Sequence, residues 1–394
     1  MTYDGSSEFS VLRVVREFAP GVGGSITHIL ELSKVIDPYL KKQVIVAPYI
    51  PGCENFDKNF PIPIVRVKSP AICNVGFPAI ADFFYSLYAV KIIARAIKDY
   101  GISIVHFHSP LLASYLIPQL RHLCNQSLRY VIMAHGWYDK SGRPIGLSYL
   151  IEKRILKSFL PDYYIILDDG TQIIELQNIL DQKGVLYEIV YHGIDTIRFS
   201  NKPVECSDEF RVLFPHRPIA VKRPDIAMQI FKGFYFRLRD RKLCLTFLGA
   251  ENSTDLINTA KDEGIYNNTC FMGSLSGDAL VNYINQSSVV IGTSLNSNTG
   301  RAIQEAMACA KPVIVFNNGG ISKLITHMEN GILVEPGDTD GFADALELLY
   351  HNPELRDELG RKARETIIEK KSWDERIKKE LSVYEQIMDV DGRS

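Results

Sequence analysis

Short apolar runs alternate with segments of helical period, stop, and then start again near the middle of the chain; no other feature constrains the fold as strongly. The first series occupies residues 10–17 (Val11, Val14, Val15), 43–48 (Val44, Ile45, Val46), 62–67, 104–107, 130–134 and 163–167. Between these runs apolar residues recur at helical spacing, as at Ile29, Leu30, Leu32 and Ile36, and again from Phe83 to Tyr100. Continuous apolar strands separated by helices call for a parallel sheet covered on both faces, with right-handed crossovers. A stretch at 192–204, with Gly193, Pro203 and several polar residues, interrupts the series. Runs at 211–214, 243–248, 269–271, 289–292, 312–316 and 331–334 then restart it. The expected fold is α/β, two Rossmann-like doubly wound domains at 1–200 and 201–371, followed by a C-terminal segment, 372–394. That segment reads as an amphipathic helix with Trp373 and Tyr384. Ligands of such sheets bind beyond the carboxyl ends of the strands, so a cleft between two domains is the expected site.

Length and charge agree with this. A chain of 394 residues exceeds one comfortable core. Lys+Arg 44 against Asp+Glu 46 gives a net charge of -2, which disfavours a nucleic-acid partner. At 46% hydrophobic and 23% charged the chain is neither fibrous nor mainly disordered. The 7 cysteines are odd in number, scattered and never form a CxxC pair, so reduced thiols of a cytoplasmic protein are expected, without a disulfide framework or zinc ribbon. Asp4 and Glu8 in a first segment lacking an apolar stretch argue against a secretory signal. Residues 71–90 have the length of a membrane span and Asp82 as their single charge, but Asn74, Gly76 and Pro78 break the run.

Three constellations carry chemistry. Gly21, Gly23 and Gly24 lie between a strand and a helix, where glycine lets backbone N–H groups approach an anion; a plain tight turn is the alternative. The cluster fails the dinucleotide pattern, because the sixth position of GxGxxG is Ile26. Arg217 and Lys222 follow the first strand of the second domain and suit a diphosphate, with a solvated basic loop, Arg223 included, as the competing reading. Glu305 lies among Ala306, Met307, Ala308 and Cys309, where a carboxylate is costly unless hydrogen-bonded; ribose hydroxyls would hold it, and the alternative is a charge favoured by the helix dipole. The turn at Gly319-Gly320 offers further backbone donors.

The run from Thr293 to Pro336, with GRAIQEAMACAKPVIVFNNGG and ENGILVEPGD, closely resembles the donor half of the family-four retaining glycosyltransferases, whose fold is GT-B. The resemblance implies a nucleotide-sugar donor, an acceptor that is a carbohydrate, lipid-linked or small molecule, two domains facing a cleft, a C-terminal helix returning to the first domain, and no metal or other cofactor. An Arg and a Lys five residues later grip the donor diphosphate in that family, and Arg217 and Lys222 match. The second Glu of its Glu-x7-Glu motif, which binds the ribose, maps onto Glu305; the first would fall where this chain has Ser297. Ser297, Asn298 and Thr299 then become the expected sugar contacts, with Gly300 and Arg301 beside them. Gly23 and Gly24 look like the family's first loop, His106 and His108 like its HxHS strand end, and His135-Gly136 like its HG pair near the reacting sugar. Lys323 replaces the usual Glu after the Gly-Gly turn. His135, Arg217 and Lys222 are thus the expected catalytic residues, and His106, His108 and Trp137 the expected acceptor contacts, although a strand-end His such as His106 is as readily a structural hydrogen-bonder.

Asp168-Asp169-Gly170 is read as a polar turn rather than a metal-binding DxD. Lys91, Arg95 and Lys98 share one helix face, either simply solvated or, with Phe83 nearby, a peripheral contact with the inner face of the membrane. The expected activity is transfer of a hexose-type sugar, with retention, in cell-surface glycan, polysaccharide or glycolipid biosynthesis. Two alternatives remain: a non-catalytic sugar-nucleotide-binding subunit and a GT-B nucleotide-sugar epimerase.

Overall fold

The computed structural model describes residues 8–21, 24–69, 78–124, 127–135, 161–168, 174–204, 208–294 and 300–389. The chain divides into two units, Met1–His192 with Arg376–Ser394, and Gly193–Glu375.

In the first unit seven parallel strands, β1 (Ser10–Val14), β2 (Lys42–Pro48), β3 (Ile64–Val67), β4 (Ile104–Phe107), β5 (Arg129–His135), β6 (Tyr163–Leu167) and β7 (Tyr187–Val190), lie in the order β3-β2-β1-β4-β5-β6-β7. Helices α1 (Gly24–Ile36), α2 (Cys53–Asn59), α3 (Pro78–Tyr100), α4 (Pro110–Leu123) and α5 (Ile174–Lys183) connect them. Side chains alternate between faces: Leu12, Val14, Val44 and Val46 join one buried cluster, and Val15, Ile45 and Ala47 another. Burial on both faces is why these strands read as unbroken apolar runs. β7, with Glu188 at its middle and mostly half-buried, is the edge strand that the apolar pattern does not single out.

The second unit repeats the plan with β8 (Phe210–Phe214), α6 (Pro224–Leu238), β9 (Leu243–Phe247), α7 (Thr254–Asp262), β10 (Thr269–Phe271), α8 (Gly277–Gln286), β11 (Val289–Gly292), α9 (Arg301–Ala308), β12 (Val313–Phe316), β13 (Ile332–Val334), α10 (Thr339–His351) and α11 (Pro353–Lys371). Its strand order is β10-β9-β8-β11-β12-β13. Val212, Phe214, Ile291 and Phe316 face one core, Leu213, Val290 and Val315 the other. In both sheets the order reverses beside the first strand, between β1 and β4 and between β8 and β11; loops diverge there and leave a crevice.

The last helix, α12 (Trp373–Asp389), packs on the first sheet from Arg376 onward. A fully buried ionic cluster fastens it. Arg13 Nη2 of β1 lies 2.6 Å from Glu380 Oε1, Arg376 Nη2 2.5 Å from Glu380 Oε2, and Tyr384 donates to Glu380 Oε1 at 2.7 Å. Burial alone would raise the Glu380 carboxyl, yet Arg13 and Arg376 hold it well below the carboxylate range. Breaking a buried pair of this kind costs about 3–5 kcal/mol. Where the chain enters the second unit, Gly193 is obligatory: a Cβ there would lie 2.2 Å from the Trp373 ring. No described helix is long and apolar enough to cross a membrane; α3 begins at Pro78, partway through the apolar stretch at 71–90.

Candidate functional site

Of the expected donor residues, Arg217, Lys222, Glu305 and the Gly319-Gly320 turn lie around the reversal point of the second sheet. β8 ends at Phe214, and the chain continues through His216 and Arg217 into a single 3-10 turn, Ala220–Lys222. Arg223 then takes a left-handed conformation, φ 51°, and Pro224 opens α6. Among the three basic side chains of this loop the roles separate. Arg223 is occupied by Asp225, Nη2 to Oδ2 at 2.7 Å, whereas Arg217 and Lys222 form no ion pair with any described residue. Lys222 is half-buried, and this desolvation lowers its proton affinity. His216 is buried beside it; burial, reinforced by the Lys222 charge, pushes its imidazole down to about 3, so it is neutral. Uncompensated positive charge under partial burial favours an anion there.

Hydrogen bonds tie three loops together around that charge. The Thr293 hydroxyl, just past β11, lies 3.1 and 2.8 Å from the carbonyls of Lys222 and Arg223. The neighbouring Ser294 carbonyl accepts from Asn318 Nδ2 at 2.9 Å, which fixes the turn after β12. Gly319, at φ 61°, and Gly320 form that turn. The Gly-Gly turn and the Lys222 loop are therefore both anchored to the end of β11.

A pocket of about 100 Å³ opens at the same place, lined among others by Arg217, Leu248, Gly249, Ser274, Leu275 and Glu305. Gly249, at φ 70°, permits it, since a Cβ would stand 3.2 Å from Ser274 Oγ. α9 starts after Gly300, φ 60°, and buries Ile303, Ala306 and Met307 in the core, which leaves Glu305 8% exposed on the pocket side. Glu305 sits in the second and last turn of this helix of 8 residues, where the N-terminal dipole no longer favours a carboxylate. Arg301 holds it instead, Nε to Oε1 at 2.9 Å. That clamp is readable in the sequence as an Arg four residues before a Glu.

The first-domain expectations fare differently. His106 is fully buried, with Nδ1 2.7 Å from Tyr384 Oη and 3.3 Å from Arg13 Nη1, and burial pushes it down to about 4. These contacts enclose the imidazole in the α12 cluster, as its structural hydrogen-bonding reading expects. His108 stacks on it at 4.6 Å and lies 3.2 Å from Arg13 Nη1. Gly24 opens α1 and His135 closes β5. Gly23, Gly136, Trp137, Ser297, Asn298, Thr299, Asp169 and Gly170 lie outside the described residues, as does the His135 side chain. The described residues hold no group of three or more His, Cys, Asp or Glu suited to a metal ion. On α3 the exposed Ile80, Phe83 and Leu87 lead directly into exposed Lys91, Arg95 and Lys98, with Arg95 Nε 3.3 Å from Asp99.

Residues 195–366 match the family model described as glycosyl transferases group 1. That match marks the second unit as similar to group 1 glycosyltransferase domains. Relatives extend the likeness beyond that unit: the putative glycosyltransferase EpsD of Bacillus subtilis is 25% identical over 322 residues, covering 78% of this chain and 83% of that protein. An uncharacterized glycosyltransferase, MJ1607 of Methanocaldococcus jannaschii, is 26% identical over 410 residues, 97% of this chain and 100% of its own. Among solved structures, a glycosyltransferase from Rickettsia africae superposes with TM-score 0.74 at 20% identity, covering 97% of this chain and 99% of that one. Anabaena Alr3699/HepE, solved in complex with UDP, gives 0.75 at 15% identity over 96% and 100%. The fold is accordingly GT-B, and the matched residues lie within the unit that holds Arg217, Lys222 and Glu305.

Proposed function

We propose that this chain is a retaining, metal-independent glycosyltransferase that moves a hexose-type sugar from a nucleoside diphosphate sugar to an acceptor hydroxyl in glycan or glycolipid synthesis at the cytoplasmic side of the membrane. The observation that carries this reading is the pocket at the β8/β11 reversal, where Arg217 and the carboxylate Glu305 share one wall and Lys222 is fastened alongside through Thr293. Glu305, oriented by Arg301, accepts from the ribose hydroxyls, and Arg217 and Lys222 bind the diphosphate. Each contact of a cation with a phosphate charge at ~4 Å is worth roughly 4 kcal/mol at an effective dielectric near 20, before desolvation.

Chemistry then needs no side-chain nucleophile. The bond from the anomeric carbon to the diphosphate oxygen breaks while the acceptor oxygen bonds to the same face, and the hydroxyl proton passes to the departing diphosphate. Lys222, Arg217 and the Gly319-Gly320 turn stabilise the charge that develops there. His135 and the 297–299 loop orient the sugar. Lys91, Arg95, Lys98 and the apolar residues around Phe83 form the surface that meets anionic lipid.

A thermal-shift panel of UDP, GDP, ADP, dTDP and their sugars tests this. UDP, which the Anabaena neighbour holds, is the first to try. A ligand at 100 Kd adds about 2.7 kcal/mol. Lys222→Ala should lower kcat/KM by at least about 10²-fold. The reading fails if no nucleotide stabilises the protein or if that variant is fully active. Sugar transfer by the purified chain separates it from a non-catalytic subunit.

A further inference from the structure

The first sheet has its own reversal point, between β1 and β4, and a buried carboxylate stands there that the donor chemistry does not use. Asp82, in the second turn of α3, is 3% exposed. Arg16, two residues past β1, places Nε 3.0 Å from Asp82 Oδ1. Oδ2 is buried and makes no hydrogen bond to any described residue. A polar oxygen left without a partner inside a fold is rare and calls for a reason. Three further groups surround it. Glu17 lies close enough to add like charge, and the Tyr115 hydroxyl of α4 is pushed up by burial and by the Asp82 charge. The Tyr115 ring meets that of Phe83 edge-on at 5.6 Å, and Phe83 is 45% exposed.

This combination has a chemical meaning. An ionised carboxylate only accepts hydrogen bonds, and Arg16 satisfies one oxygen alone. A ligand hydroxyl can supply the missing donor, and an aromatic pair at the rim favours a ligand with apolar C–H faces between its hydroxyls. Burial, offset by Arg16 and reinforced by Glu17, pushes the Asp82 carboxyl up to about 6, so it is ionised and accepting at neutral pH. The Arg16 side chain is 40% exposed and marks the side from which a ligand arrives.

We propose that Asp82 Oδ2 accepts a hydroxyl of the acceptor, a ring-shaped polyol seated at the β1/β4 reversal against Phe83 and Tyr115. The proposal rests on the transferase reading above. Isothermal titration of the full chain with UDP, methyl glycosides, myo-inositol and octyl glycosides tests it, the octyl compounds standing for a lipid-linked source. Wild type should bind UDP and at least one polyol. Asp82→Asn and Asp82→Ala should weaken the polyol by at least about tenfold, with UDP affinity unchanged. UDP bound with no polyol, or polyol affinity equal in wild type and both variants, overturns the Asp82 assignment alone. No nucleotide bound at all, across the full base panel, overturns the transferase reading and this assignment with it.

Discussion

Replacing Asp82 by Asn should make the protein more stable, and only above a defined pH. In the fold the carboxyl ionises near 6 rather than 3.8, chiefly because burial penalises the charged form. Between those values the folded chain holds more protons than the unfolded one, so stability falls as pH rises through that window and stays lower above it. The difference is about two pKa units, each about 1.4 kcal/mol, or about 3 kcal/mol in total at pH 8. The attraction of Arg16 is already contained in that net shift. Asn is neutral at every pH and avoids the cost. For a unit of this size the gain should raise Tm by at least about 6 °C at pH 8 and by almost nothing at pH 4. Scanning calorimetry of both proteins at the two pH values provides the check. A variant less stable than wild type at pH 8, or an equal gap at both, would refute the reasoning. A residue that weakens the fold at neutral pH is the kind that ligand binding retains.

Glu305→Gln should weaken UDP by about tenfold or more in titration calorimetry while leaving 2′,3′-dideoxy-UDP unaffected, since only the ribose hydroxyls address that carboxylate; equal losses would remove Glu305 from the ribose. Gly193→Ala should cost about 1–3 kcal/mol by overpacking against Trp373, read as a lower Tm. Lys91, Arg95 and Lys98 changed together to Glu should abolish flotation with anionic vesicles, at about 1 kcal/mol per lost charge; binding that survives the change would free this face of a membrane role.

Both sheets were legible because their strands are buried on two faces and cannot carry polar residues without notice. β7 was not, since an edge strand tolerates Glu188 and reads like a loop. Arg217, Lys222 and Glu305 stand out in the sequence as candidates, the first two by following a strand end and Glu305 by an apolar setting in which charge is expensive. His106 could not be placed in this way, because its fate depends on Tyr384 and Glu380, 278 and 274 positions away in sequence, and no local pattern announces that contact. Asp82 lay in plain view as the single charge of a twenty-residue apolar stretch, but its partner Arg16 is remote in sequence, and no local pattern joins the two.

The Arg13–Glu380 pair has a consequence for how the chain is born. Arg13 leaves the ribosome with the first strand, but Glu380 follows 367 residues later. At roughly 5–20 residues per second, that delay is about 20–70 s. During that time the second unit, contiguous in sequence, can emerge and fold in full, while the first sheet waits with a guanidinium on a face meant to be dry. A nascent chain lacking α12 should therefore hold a folded second unit joined to a first unit that recruits chaperones until translation ends.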